Sequence, residues 1–566
     1  MKNVPASVSV FCLLISHVIH AEPAHADREQ SVYLNQQWSE EERSRFYYTP
    51  QGSYLIPYSW YLSLEQAGRR LPFNEPRNIR KLGYLVDDQP DAATNPDGLP
   101  IGFAKEPVDG GESWLGLTCA ACHTGELRYR DTTVRIDGAP TLGDFTALTN
   151  SLIKALKATL TRPSKFERFA NSVLSSPNAS QKAVLRSRVN THLTWLIQYN
   201  TRSTPTHPYG YGRVDAFGII MNELFGRDLE QPDNIRIPDA PVSYPFLWTT
   251  PHLDFVQWNG SVNNPFGRNV GEVLGSFGHV NLTGPIADIG TSTARPRELL
   301  ELERLVGSLA APKWPEAIMG SIDREKASRG RNLYTVSRGG EPSCQSCHSL
   351  PDANGSYPMT APEENLFGVG FIETHMTSLS EIGTDPLMAW NFATRRASTG
   401  NLASQLPAPF RGVTELPAPA LLSEIVGFAV ADARATVQPP FTVAETAELI
   451  GYRLKAPGLP PYAPKNLLAY KARPLNGIWA TAPYLHNGSV PSLYQLLLPP
   501  AQRQPVFYLD SRHEFDAESV GLDSKGGQRA FKFDTRLPGN SNSGHTYGTE
   551  FTDNERWDLV EFLKTL

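Results

Sequence analysis

Two short stretches of the chain pair cysteines with a histidine: "GLTCAACHTGELRYR" at residues 116–130 and "EPSCQSCHSL" at residues 341–350. In each, two thiols stand three positions apart and an imidazole follows directly. Thiols at that spacing can form thioethers with the two vinyl groups on one edge of a porphyrin. The next residue then lies under the iron, so its imidazole becomes the proximal ligand. The pattern assigns Cys119, Cys122 and His123 to one covalently bound haem c, and Cys344, Cys347 and His348 to a second. Two other chemistries compete. A disulfide framework is the usual role of cysteine in an exported protein, but a Cys-x-x-Cys bridge closes a tiny loop and stabilises little. Zinc would require both pairs to converge on one metal and would leave both histidines unexplained.

Those residues need elements to hold them. "DREKASRGRNLYTVSRGGEPSCQSCH" (323–348) reads as an amphipathic helix, then a Gly-Gly loop, then the second motif. "SEIVGFAVADARATV" and "TVAETAELIGYRLK" are helix candidates between the haem motif and the C-terminus. The lead-in to the first motif, residues 27–118, is rich in Tyr, Trp and Pro without a clear period, and reads as an irregular wrap. With Pro 47 and Gly 44 in 566 residues, long irregular segments are expected. The expected fold is mainly α with long irregular loops and few strands: two cytochrome c-like haem domains plus an N-terminal wrap. Residues 27–320 would form the wrap and the first domain (haem 1, active site). Residues 321–566 would form the second domain (haem 2, electron transfer), with the boundary in the proline-interrupted segment 309–321.

The N-terminus has Lys2, an apolar run from Val8 to Ile19 and a small-x-small site at Ala24-His25-Ala26. This is the pattern of a signal peptide spanning residues 1–26, which would remove Cys12 and direct the protein to the periplasm or the exterior. The apolar run is shorter than the ~20 residues a membrane span needs, and no later segment qualifies as transmembrane. A net charge of -6 provides no electrostatic footprint for nucleic acid.

"RPLNGIWATAPYLHNGSVPSLYQLL" (473–497) and "QWNGSVNNPFGRNVGEVLG" (257–275) resemble segments of the bacterial di-haem cytochrome c peroxidases and the methylamine dehydrogenase maturation enzyme. The lead-in "YYTPQGSYLIPYSWYLSLEQAG" and the ending "GNSNSGHTYGTEFTDNERWDLVEFLKTL" resemble a narrower branch, that of the rubber oxygenases and the fatty-acid 10S-dioxygenase and diol-synthase enzymes. The resemblance implies an open, oxygen-reactive haem 1. It implies that Trp258 relays electrons between the haems and that Glu272 reaches the distal face, where a carboxylate can shuttle a proton between the two oxygens of a peroxide. It implies that Arg268 and Arg473 pair with haem propionates, and that His486 holds a propionate or orients its loop. The peroxidases' methionine ligand has no counterpart in "SLYQLLLPPAQRQ"; in the oxygenase branch a C-terminal histidine fills that position, and His545 matches it. Plainer roles stay open: a core tryptophan for Trp258, a helix-surface carboxylate for Glu272, solvated arginines, a buried histidine for His486 and a loop histidine for His545. Met376 and Met388 also follow the second motif, as ligands or as core. "YPFLWTTPHLDFVQW" (244–258) could line an apolar channel or pack around a porphyrin.

The function implied is oxygenation of an unsaturated lipid chain. A fatty acid of the oleate type would be converted to a hydroperoxide, or its hydroperoxide to a diol, with dioxygen or the hydroperoxide as co-substrate. The alternatives are a hydrogen peroxide-reducing peroxidase fed by a small electron-donor protein, a polyisoprene oxygenase, and a non-catalytic electron-transfer cytochrome. Some relatives hold calcium between their domains; no ligand cluster in this sequence supports it.

Overall fold

The computed structural model describes residues 31–364, 368–450, 466–527 and 530–566. The signal-peptide segment and Cys12 therefore lie outside the described residues, as does the end of the "TVAETAELIGYRLK" candidate, whose described part is the helix Val443–Ile450. The architecture is mainly helical, with short strands in small sheets. Among the described residues nine helices reach nine residues or more: α1 (Glu40–Tyr48), α2 (Phe145–Thr161), α3 (Pro163–Val173), α4 (Ala179–Arg202), α5 (Pro265–Gly275), α6 (Pro296–Gly307), α7 (Arg324–Thr335), α8 (Ala418–Thr436) and α9 (Asp553–Leu563). None of them is long and apolar enough to cross a membrane.

The first Cys-x-x-Cys-His stretch links two three-stranded sheets. Strand Trp114–Leu117 enters it, paired antiparallel with Phe103–Glu106, and strand Thr124–Tyr129 leaves it, paired antiparallel with Thr132–Asp137. The lead-in is thus more regular than its composition implies. Its aromatic residues hide a helix and strand pairings that have no hydrophobic period of their own. α1 anchors the motif from outside: Thr118 Oγ1 donates to Tyr47 O at 3.1 Å, and Arg43 pairs with the buried Asp137 carboxylate at 2.9 Å.

α4 buries Leu185, Val189, His192, Leu193, Leu196 and Tyr199, a helical spacing that makes one apolar stripe. Its N-terminus has a reciprocal cap between Asn178 and Gln181. The stripe packs on α2, whose Leu148, Leu152, Ala155 and Leu156 point the same way. α5, α6 and α8 share a further core built from Val270, Leu274, Leu299, Leu421 and Ile425. The largest core draws Trp38, Phe46 and Ile136 together with Tyr334, Val490 and Leu559, and Leu309, Trp314 and Met319 of the 309–321 segment lie inside it.

Before the second motif, α7 crosses the C-terminal helix α9. The contact is close because Gly330 has no side chain: a Cβ there would sit 2.0 Å from Asp558 O and 2.8 Å from Phe562 Cβ. Arg329 pairs with Asp558 at 2.7 Å, and Tyr334 stacks edge-on against Phe562 with ring centroids 5.2 Å apart. Exchanging an exposed helical glycine for alanine stabilises a helix by about 1 kcal/mol. Here overpacking, at about 1–3 kcal/mol, opposes that gain and should win. Gly330→Ala is therefore expected to lower the denaturation midpoint; an equal or higher midpoint would refute this close helix crossing.

Candidate haem-binding sites

Both motifs fold into one tight turn closed by the same hydrogen bond. His123 N donates to Cys119 O at 2.9 Å, and His348 N donates to Cys344 O at 2.8 Å. The four cysteines among the described residues are free, so no disulfide joins either pair. Each imidazole is then oriented by a distant backbone carbonyl. His123 Nδ1 donates to Pro245 O, and His348 Nδ1 donates to Arg473 O, both at 2.8 Å. With Nδ1 occupied, Nε2 carries the free lone pair, the arrangement in which histidine ligates a metal. Burial lowers the His123 pKa to about 4; the Pro245 bond opposes this and the Arg268 charge adds to it. His348 is lowered by the same burial. Both stay neutral, as a ligand must.

His123, Cys119 and Cys122 line a cavity of about 630 Å³, with Trp258, Arg268, Glu272 and Arg473 also on its walls. α5 supplies two of these. Asn264 caps it by accepting from Gly267 N at 3.0 Å, Pro265 occupies its first turn, and Arg268 and Glu272 follow one turn apart on one face. Arg268 is already engaged, donating to Glu303 Oε2 at 2.7 Å and to Asn269 Oδ1. Glu272 accepts from Gln257 Nε2 at 3.1 Å. Its side chain is accessible, but the space it faces is this protein-lined cavity. Burial therefore raises its pKa above the ordinary carboxylate value, against the lowering effects of Arg268 and the Gln257 bond. Trp258 donates from Nε1 to Ser243 O at 2.9 Å while its ring lines the cavity.

Arg473 reaches both sites. Its carbonyl holds His348, while its guanidinium donates to Phe246 O (2.9 Å), Trp248 O (2.6 Å), Thr250 Oγ1 (3.2 Å) and Thr249 Oγ1 (2.8 Å). It stacks 3.7 Å over the Phe246 ring. The residue is only 7% exposed, its Nε has no hydrogen-bond partner, and burial lowers its pKa to about 9. A buried cation held by neutral acceptors alone is electrostatically undercompensated. Two thiols, a neutral imidazole and this arginine around one cavity fit a haem c with its anionic propionates. Tyr244 and Leu247 line the same cavity, whereas Phe246 and Trp248 are core, so the aromatic 244–258 stretch contributes to both the cavity wall and the core.

At the second motif, the His348 and His545 rings are neighbours, with centroids 6.3 Å apart and planes tilted by 45°. That spacing leaves room for one metal ion between them at bonds of about 2.0 Å. His545 sits on a pinned loop. Gly544 has φ +68°, and a Cβ on it would meet Gly383 C at 2.2 Å; His545 N donates to Ile382 O at 2.8 Å. Buried Arg503 donates to the carbonyls of Asn542 (2.6 Å), Gly544 (2.9 Å) and His545 (2.9 Å). His545 Nδ1 is buried without a hydrogen-bond partner, and burial, then the neighbouring His348 imidazole and the Arg503 charge, lower its pKa to about 3.

Pro245, Gln257, Glu303 and Arg503 carry no local sequence signal, because each acts through a contact distant in the chain. Met388 is core, and Met376 lies on a strand against Gly260. His486 stacks on Tyr470 at 4.0 Å, and its carbonyl accepts from Ser243 N at 2.8 Å. Burial, with the Arg213 charge, lowers its pKa from 6.5 to about 3. Unfolding therefore takes up a proton between those values, and this contribution to stability is lost as pH falls from about 6.5 towards 3. His486→Asn should make the acid limb of a stability–pH curve shallower; an unchanged slope would contradict the burial.

Residues 469–508, which include Arg473 and His486, match a family model described as RoxA-like, cytochrome c-like. This supports a haem-dependent oxidoreductase, oxygenase or peroxidase-like, with covalently bound haem c. An uncharacterized protein of Sinorhizobium fredii, y4iJ, is 33% identical over 96% of this chain and 94% of its own length. A second from the same organism, y4iM, is 33% identical over 17% of this chain and 27% of its own. The chain therefore belongs to the family of y4iJ, and its 469–508 segment is of the RoxA-like, cytochrome c-like kind.

Proposed function

We propose that the protein is an exported di-haem c-type oxygenase acting on unsaturated lipid chains, with haem 1 on Cys119, Cys122 and His123 as the reactive site. The observation that carries this reading is the cavity beside His123. Phe145, Phe217, Ile220, Leu299 and Val426 supply apolar walls suited to a hydrocarbon chain, and Glu272 supplies an ionisable group. A fatty acid of the oleate type is the proposed substrate. When bound, the haem supplies the iron at which dioxygen or a hydroperoxide reacts.

The chain's own groups then have separate tasks. His123 presents neutral Nε2 because Pro245 holds Nδ1. Glu272, whose pKa burial raises above the ordinary carboxylate value, can hand a proton to one oxygen of a hydroperoxide and recover one from the other. Gln257 fixes that carboxyl, and the Arg268–Glu303 pair adds no net charge beside it. Arg473 is free of any acidic partner and is the proposed propionate ligand. His348 and His545 would together hold haem 2, which would supply electron storage and transfer there. Trp258, on the wall of the first cavity, relays between the haems. The presence of Glu272 also favours a second reading, reduction of hydrogen peroxide with electrons from a small donor protein.

Oleate alone should produce oxygen uptake and a hydroperoxide detectable by mass spectrometry. Rapid peroxide turnover with a reduced cytochrome donor, and no oleate product, would select the second reading. Glu272→Gln should slow hydroperoxide conversion by about a hundredfold with an unchanged haem spectrum; an unaffected rate would remove Glu272 from the chemistry. His545→Ala should convert haem 2 from low to high spin, and a persistent low-spin signal would exclude His545 as its ligand.

A further inference from the structure

A second concavity of about 820 Å³ lies on the far side of an aromatic partition from the haem-1 cavity. Tyr54, Trp114, Trp195, Phe277 and His279 are among its walls. The rings form a continuous chain. Tyr54 stacks on Trp114 (centroids 5.8 Å), Trp114 meets His192 (5.6 Å), His192 stacks on Trp195 (5.2 Å) and Trp195 meets Tyr199 (6.1 Å). Tyr199 belongs to the haem-1 cavity wall. Phe277, on the cleft side, packs against both Tyr199 (4.5 Å) and Phe145 (5.5 Å), which lines the haem-1 cavity too. No step between neighbouring rings in this chain exceeds 6.1 Å.

The cleft also holds a positioned base. His279 is 61% exposed, and its Nδ1 donates to Asp228 Oδ1 at 2.8 Å. Asp228 is fully buried at the end of a π-helical turn, Asn222–Asp228, a wide turn that recurs at functional sites. Arg227 Nε and Val280 N also donate to that carboxylate, at 2.7 and 3.2 Å. Burial raises the Asp228 pKa, but the His279 and Arg227 bonds outweigh it and hold the group ionised. A carboxylate that orients one imidazole nitrogen leaves the other to accept a proton.

We propose that this cleft is an oxidation site for small phenolic or hydroquinone-type reductants, which donate electrons to the haem-1 cavity through Trp195 and Tyr199 and protons to His279. The flat aromatic walls suit a ring-shaped donor. Trp195 is the stopping point for the oxidising equivalent, because an indole can lose an electron while keeping its N–H. The buried Tyr199 hydroxyl instead donates to Gly275 O at 3.1 Å, an acceptor that cannot take its proton. The balance closes with a peroxide as oxidant. A hydroquinone breaks two O–H bonds, giving up two protons and two electrons to become a quinone, and the peroxide O–O bond is cleaved to two waters, or to an alcohol and water. The proposal rests on the reading above in one respect, that the haem-1 cavity takes up a peroxide.

The test uses the full holoprotein with hydrogen peroxide and hydroquinone. Peroxide alone, frozen rapidly, should produce a tryptophan radical signal by electron paramagnetic resonance. Trp195→Phe should remove that signal and most of the hydroquinone oxidation at unchanged haem content. His279→Gln, at an exposed position, should keep the signal and slow hydroquinone oxidation by about a hundredfold, the lower end of what a positioned base contributes. Full hydroquinone turnover in Trp195→Phe, or none in the unaltered protein, would overturn the proposal. Loss of oleate activity with the Trp195 dependence intact would overturn only the lipid reading.

Discussion

Two backbone carbonyls, those of Pro245 and Arg473, decide how this protein presents its two motif imidazoles. A neutral imidazole has one N–H and one lone pair, so capturing the N–H at Nδ1 commits Nε2 to the acceptor role. Burial keeps both rings neutral, which preserves that assignment. The two carbonyls are also linked to each other. Pro245 precedes Phe246, and the Phe246 carbonyl accepts from the Arg473 guanidinium. The element that orients the second imidazole therefore also braces the segment that orients the first. A change at Arg473 acts on both sites through one side chain and one peptide.

Buried arginines without carboxylate partners recur among the described residues. Arg213, Arg473 and Arg503 each bind backbone carbonyls instead, and burial lowers their pKa values to about 9, 9 and 10. Carbonyl dipoles satisfy the N–H groups without cancelling the charge, so such a residue acts as a cross-link between loops. Arg503 shows the use of this. It ties the 542–545 loop to the segment after the helix Leu493–Leu496, so a histidine on an irregular stretch lies beside its counterpart on the Cys-x-x-Cys-His turn.

Part of the strained backbone lies at the same places. Thr249, Gln257, Phe277, Leu485 and His545 all have positive φ, a region unfavourable for residues with a Cβ. Thr249 binds Arg473, Gln257 holds Glu272, Phe277 separates the two cavities and His545 lies beside His348. The strain is supported by the packing around it: Phe277 lies between Tyr199 and Phe145, and Arg503 grips the carbonyl of His545.

The spacing of Cys119, Cys122 and His123, and of Cys344, Cys347 and His348, was legible in the sequence because one turn of backbone brings each trio together. The same holds for the helical stripe ahead of the second motif and for Arg268 and Glu272, one turn apart on α5. The α2–α4 helices and the strand pairings of the lead-in had no motif to announce them, and their stability comes from packing against one another. What only the tertiary structure decided is which distant groups meet: Pro245 with His123, Arg503 with the His545 loop, Glu303 with Arg268, and the ring chain from Trp114 to Tyr199. Contacts within a turn follow from local geometry. Contacts across tens of residues to more than a hundred depend on how whole cores close, and no short window of sequence contains that information.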